Sequence, residues 1–112
     1  MQVIHCLIQG KAVNEGHCLM PQALLERMPK LYATEDIKDP LIQVKYIYPA
    51  FSWTWYGIEY DGHDKMIGMV DGFERELGYF SLKELSQTYD QFGLKLERDL
   101  YFTPRPLSEV RK

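Results

Sequence analysis

The chain has 112 residues, 46% hydrophobic and 26% charged, with 13 basic against 16 acidic side chains and a formal net charge of -3. These are the proportions of an ordinary globular domain; they exclude a disordered tail, a collagen-like repeat and a coiled coil, and no apolar run approaches the roughly 18 residues that span a bilayer. The acidic balance argues against a protein that coats polyanions with its whole surface, though a local basic patch remains open.

The first segment, residues 1–18, reads as an extension or hairpin arm: Val3, Ile4, Leu7 and Ile8 suit a short strand, and residues 10–16 a turn. Residues 19–112 read as one domain. The only cysteines are Cys6 and Cys18. Two cysteines can make one bridge, but the first residues lack a basic stretch followed by a long apolar core, so free thiols in a reducing cytoplasm are expected.

Residues 19–28 (LMPQALLERM) predict a short helix, with Pro21 in its first turn, Leu24, Leu25 and Met28 on one face, and Pro29 as its stop. A polar, acidic connection follows to Pro40. Period-two patterning then predicts a strand over 42–48, with Ile42, Val44, Tyr46 and Tyr48 on one side. A second strand over 51–60 carries Trp53 and Trp55 on one face and Thr54, Tyr56 and Ile58 on the other. Asp61 and Gly62 open a hairpin turn, and strands over 65–70 and 76–80 come next. Ser81 and Glu84 form a capping box. The helix behind it is expected to turn Leu82, Leu85, Tyr89 and Phe92 to the core and to stop at Gly93. A last strand covers 96–102. The order implies an α+β fold: an antiparallel sheet of four to five strands with two short helices packed on one face or end.

Two clusters of acids are candidate chemistry. Glu97 and Asp99 share one face of a strand, with Arg98 opposite, and paired carboxylates are what a metal-dependent hydrolase would use. The bland reading is a solvated or ion-paired edge, with Arg75 or Lys95 as partners. Glu59, Asp61, His63 and Asp64 gather near a hairpin tip, a donor mix suited to Mn, Zn or Fe, although turns demand Asp and Gly anyway. Glu74 and Glu76 read as turn and surface groups. His5-Cys6 and His17-Cys18 supply zinc-type donors at an unusual spacing. No cofactor is implied, because no phosphate-binding glycine loop or catalytic triad can be laid out.

Tyr46, Tyr48, Trp53 and Trp55 are candidate binding residues, together with Arg98. Stacked rings on a sheet, with Lys45, Lys65 and a basic tail of Arg105, Arg111 and Lys112 nearby, are what single-stranded nucleic-acid binders use. The competing reading buries the rings under the helices.

Four ordered blocks carry a resemblance: 31–35 (LYATE), 51–56 (FSWTWY), 68–85 (GMVDGFERELGYFSLKEL) and 93–102 (GLKLERDLYF), the last followed by Pro106, Leu107 and Ser108. Over about residues 19–108 the chain resembles the bacterial family called domain of unknown function 2958, whereas residues 1–18 do not fit that pattern. The resemblance implies an accessory protein of plasmids, integrative elements or phages and supplies no catalytic residues. The resulting expectation is a non-enzymatic protein-interaction module for a host or element-encoded protein. DNA binding and metal-dependent hydrolysis by Glu97 and Asp99 are the alternatives. A membrane partner is not expected. A homodimer through an exposed strand edge is a further possibility.

Overall fold

The computed structural model describes residues 3–6, 11–49 and 51–110. Its centre is a five-stranded antiparallel sheet in the order β7-β6-β5-β4-β8. The strands are β4 (Val44–Tyr48), β5 (Phe51–Tyr60), β6 (Lys65–Asp71), β7 (Arg75–Ser81) and β8 (Glu97–Arg98). Local chemistry explains the meander. Pro49 follows β4, and the Asp61 carboxylate accepts the N–H groups of His63, Asp64 and Lys65 at 2.7, 2.7 and 3.1 Å to hold the next turn. Ser81 caps α2 (Leu82–Ser86) by accepting the Glu84 N–H at 3.1 Å.

The alternation along the strands divides the core between the two faces of this sheet. One face packs Val44, Tyr46, Trp55, Tyr60 and Met66 against Leu19, Met20, Leu24 and Met28, with Leu82 and Leu96 joining them. Leu24 lies on α1 (Gln22–Arg27), which Pro21 caps from just outside rather than from within the first turn. The other face packs Ile42, Ile58, Met69 and Leu107, with Tyr56, Phe102 and Val110 alongside. It is covered by α3 (Leu107–Val110) and by a second small sheet, β3 (Leu41–Ile42) paired with β9 (Arg105–Pro106). The α+β class holds, but helices lie on both faces rather than on one face or end. Ile42 likewise belongs to the opposite face from Val44 and Tyr46, because the chain breaks pairing at Gln43, whose N–H donates to the Gly57 carbonyl at 2.8 Å.

Two expected elements are shorter than their patterns. The second helix ends at Ser86, and Tyr89 and Phe92 are exposed instead of core-facing. The cause is local competition: the Thr88 hydroxyl donates to the Leu85 carbonyl, and the Asp90 carboxylate accepts the Phe92 and Leu94 N–H groups, which folds a turn where helix would continue. The last strand keeps only Glu97 and Arg98, since Asp99 turns the chain by accepting the Tyr101 N–H at 2.9 Å.

The arm is a hairpin of β1 (Val3–Cys6) and β2 (Lys11–Asn14). Its cysteines are not free: Cys6 and Cys18 form a disulfide with a Cα–Cα distance of 5.5 Å, and both are fully buried. The hairpin and the turn at Glu15–His17 bring two residues 12 positions apart within bonding reach. A disulfide belongs to oxidising compartments, so the compartment inference drawn from free thiols lapses. Arg98 fastens the base of the arm to the sheet, donating to the carbonyls of Cys18 at 2.9 Å and Glu15 at 3.2 Å. Closing a loop of this length restricts the unfolded chain, so reduction is expected to lower stability by about 3 kcal/mol. Urea unfolding with and without reductant measures this, and coincident curves would show that the arm stands outside the cooperative unit.

Candidate interaction face

Glu59 is the buried charged residue of the described chain, with only 3% of its surface exposed. It reaches its place through a β-bulge. Gly57 pairs with Gly68, and Glu59 pairs with Ile67, which leaves Ile58 as an extra residue. The extra residue reverses the alternation beyond it. Glu59 therefore leaves the Trp53–Trp55 face and joins Ile58 and Ile67 on the other. There its carboxylate accepts the N–H of Tyr32 at 2.6 Å, the N–H of Thr34 at 2.8 Å and the Thr34 hydroxyl. Three donors offset the cost of removing a carboxylate from water. Its oxygens hold the turn over residues 31–36 through Tyr32 and Thr34.

That turn is under strain. Tyr32 has φ of 70°, a left-handed conformation that bulky L-residues rarely adopt. The bond from its amide to Glu59 holds it there, and its hydroxyl is hydrogen-bonded to that of Tyr79 on β7. The bond to Tyr32 raises the pKa of the Tyr79 hydroxyl, with smaller contributions from burial and from the nearby charges of Glu59 and Glu35. Lys65 stands over the Tyr79 ring at 5.2 Å.

Between the turn and the sheet lies a cavity of about 330 Å³, lined by Tyr32, Thr34, Ile37, Lys38, Ile58, Glu59, Ile67, Leu77 and Leu107 among others. Its mouth carries the exposed apolar side chains of Tyr32, Ile37 and Leu77, at 56%, 53% and 51%, beside the exposed charges of Glu35 and Lys38, and Tyr79, 53% exposed, adjoins it through its bond to Tyr32. Single exposed apolar side chains are ordinary, but several grouped around one concavity mark a contact surface.

The aromatic residues named from the sequence divide. Tyr46 is fully buried and donates its hydroxyl to the Leu19 carbonyl at 2.6 Å; burial drives its pKa far upward. Trp55 is buried beside Tyr48, ring edge to face at 5.5 Å. Trp53 and Tyr48 are half-buried at the core margin, and Trp53 meets the exposed Phe73 at 5.3 Å. Arg98 is half-buried, and its two bonds go to the arm. Of the proposed acidic pair, Asp99 lies 3.8 Å from Lys45, not from Arg75 or Lys95; Arg75 lies 3.6 Å from Asp71. Glu97 sits on β8 opposite Ile47.

The acids near the hairpin tip also separate. Glu59 holds the turn described above. Partial burial works to raise the pKa of Asp61, but the N–H bonds from Asp64, His63 and Lys65, with the charge of His63, outweigh it and leave the carboxyl low. Asp64 accepts the Ser81 hydroxyl at 2.6 Å and the Lys83 N–H at 2.7 Å, and His63 is exposed. Among the described residues, no three His, Cys, Asp or Glu side chains are grouped to hold a metal ion. The zinc arrangement fails for a further reason: Cys6 and Cys18 are bonded to each other and so are not thiolate ligands. The His5 side chain, Arg111 and Lys112 lie outside the described residues.

The sequence does not reveal this surface, because residues 31–40 read as a polar connection. The available signals were the LYATE block itself and a strand, ELGYF, with apolar side chains on both of its faces.

A family model described as "Protein of unknown function (DUF2958)" matches residues 19–111. No curated protein and no solved structure matches the chain.

Proposed function

This chain belongs to the DUF2958 family of proteins of unknown function, and from that premise we propose that it is a non-enzymatic protein-interaction module of a plasmid, integrative element or phage. The mobile-element setting comes from the family resemblance. The observation that carries the interaction reading is the group of exposed apolar side chains, Tyr32, Ile37 and Leu77, at the cavity over Glu59, with Tyr79 adjoining through Tyr32. Interfaces draw their energy from a few aromatic and aliphatic anchors in concave surroundings. Here a buried carboxylate pins the loop that carries Tyr32, and Leu77 is fixed on a paired strand, so less ordering entropy is lost on binding. Nucleic-acid binding through stacked rings has less support, since Tyr46 and Trp55 lie in the core.

The test is affinity capture from host lysate by the tagged full-length protein, with and without nuclease. We expect a protein partner that survives nuclease, and at least about a tenfold loss of capture with Ile37→Lys, a change on an exposed site that leaves stability within about 0.5 kcal/mol. Loss of all captured protein on nuclease treatment would overturn the reading, and so would full retention by Ile37→Lys.

A further inference from the structure

β7 is an outer strand of the sheet, and its pairing with β6 runs without a shift from Lys65↔Ser81 to Asp71↔Arg75. A bond beyond each end sets the phase of this ladder. The Gly72 N–H donates to the Glu74 carbonyl at 3.1 Å, and the Leu82 N–H donates to the Asp64 carbonyl at 3.1 Å. Hydrogen-bonded pairs alternate along an antiparallel ladder, so Glu76, Gly78 and Phe80 bond inward to β6. Leu77 and Tyr79 direct their N–H and C=O groups away from the sheet. Among the described residues no strand pairs with that side. β7 also lacks the proline and the bulge that usually blunt such an edge.

We propose that β7 of a second copy of this chain fills this edge, antiparallel about a twofold axis at Gly78. Symmetry requires the axis to pass at a residue, because the two halves of the ladder must have the same hydrogen-bond phase. An axis at Arg75 or at Glu76 sets like charges face to face. The axis at Gly78 sets Leu77 opposite Tyr79 of the second copy, twice over, with four backbone bonds between them. It also places Glu76 opposite Phe80, and Arg75 opposite Ser81, with no like charges opposed. Gly78 itself supports this choice. Its φ is not positive, no bulge lies on β7, and an added Cβ would meet nothing within 4 Å. Among the described residues of one copy nothing explains a glycine there, whereas at the axis two such residues face each other about 4.5 Å apart. An axis at Leu77 leaves the glycine unexplained. This inference shares Leu77 and Tyr79 with the partner reading but rests on the outward backbone of β7, so Ile37, which lies off that strand, separates the two.

The experiment is sedimentation equilibrium of the purified full-length chain from low micromolar to near millimolar concentration, with amide exchange followed over the same range. We expect a monomer–dimer equilibrium in which the Leu77 and Tyr79 amides exchange more slowly as concentration rises. Leu77→Pro removes one outward N–H per copy and no bond to β6, and is expected to weaken association at least about tenfold; Ile37→Lys is expected to leave it unchanged. A chain that stays monomeric throughout overturns the proposal. So does a dimer whose Leu77 and Tyr79 amides exchange at the monomer's rate, a result that needs no variant to fold.

Discussion

Glu59→Ala is expected to cost about 3 kcal/mol of stability. The carboxylate accepts two backbone N–H groups and one hydroxyl, all on the far side of a loop, and it does so while buried. Removing it deletes three charge-assisted bonds at once and leaves part-buried amides without partners, each costing on the order of 1–3 kcal/mol. The total falls below that sum because the turn can open to water and Tyr32 can leave its left-handed conformation, which costs on the order of 1–3 kcal/mol in the native fold. Glu59→Gln keeps the shape and one acceptor oxygen, so about 1–2 kcal/mol is expected. Urea unfolding of the two variants gives both numbers. Losses within about 0.5 kcal/mol for both would show that the turn is held by something other than this carboxylate. Loss of partner capture beside a small stability change in Glu59→Gln would place the loop itself in the contact.

The second large effect is expected in the middle of the sheet. Gly68 and Gly78 face each other across β6 and β7, yet they stand in opposite surroundings. A Cβ on Gly68 would run into the backbone carbonyl of Tyr56 on β5, which cannot swing aside as a side chain could. Gly68→Ala must therefore push two paired strands apart and is expected to cost about 3 kcal/mol or more. Gly78→Ala meets only open space and is expected to change stability by no more than about 0.5 kcal/mol. Denaturation midpoints of the pair, measured at a concentration where the chain is monomeric, test the contrast. Equal midpoints would mean that β5 and β6 approach less closely at Tyr56 than described.

Much of the architecture could be read before any coordinates. The meander from β4 to β7 follows from alternating apolar residues and an Asp-Gly turn, and the bonds that Asp61 accepts are those such a turn needs. The first helix buries Leu24, with the buried Met28 as its C-terminal cap just before Pro29, and Ser81 caps the second. The family resemblance was carried by ordered blocks of sequence, and the match over residues 19–111 agrees with it. The candidate site was less legible. The residue types present Glu59 as a metal ligand beside Asp61, and Tyr32 and Thr34 as part of a polar connection. The pattern extends the second helix too far because Tyr89 and Phe92 keep the helical spacing, although Thr88 and Asp90 divert the backbone there.

Local chemistry and tertiary contacts thus decided different things. Strands, turns, caps and the α+β class depend on residues a few positions apart, so periodicity and side-chain type were enough to reveal them. The direction in which Glu59 points depends on one extra residue in β5 and on donors at Tyr32 and Thr34, 27 and 25 positions away. The disulfide depends on a hairpin bringing Cys6 to Cys18, and the second buried face on Leu107 returning to Ile42, Ile58 and Met69. A bulge reverses every side chain beyond it at no visible cost to the pattern of residue types. Only the assembled sheet, with both faces covered, selects which side that reversal serves.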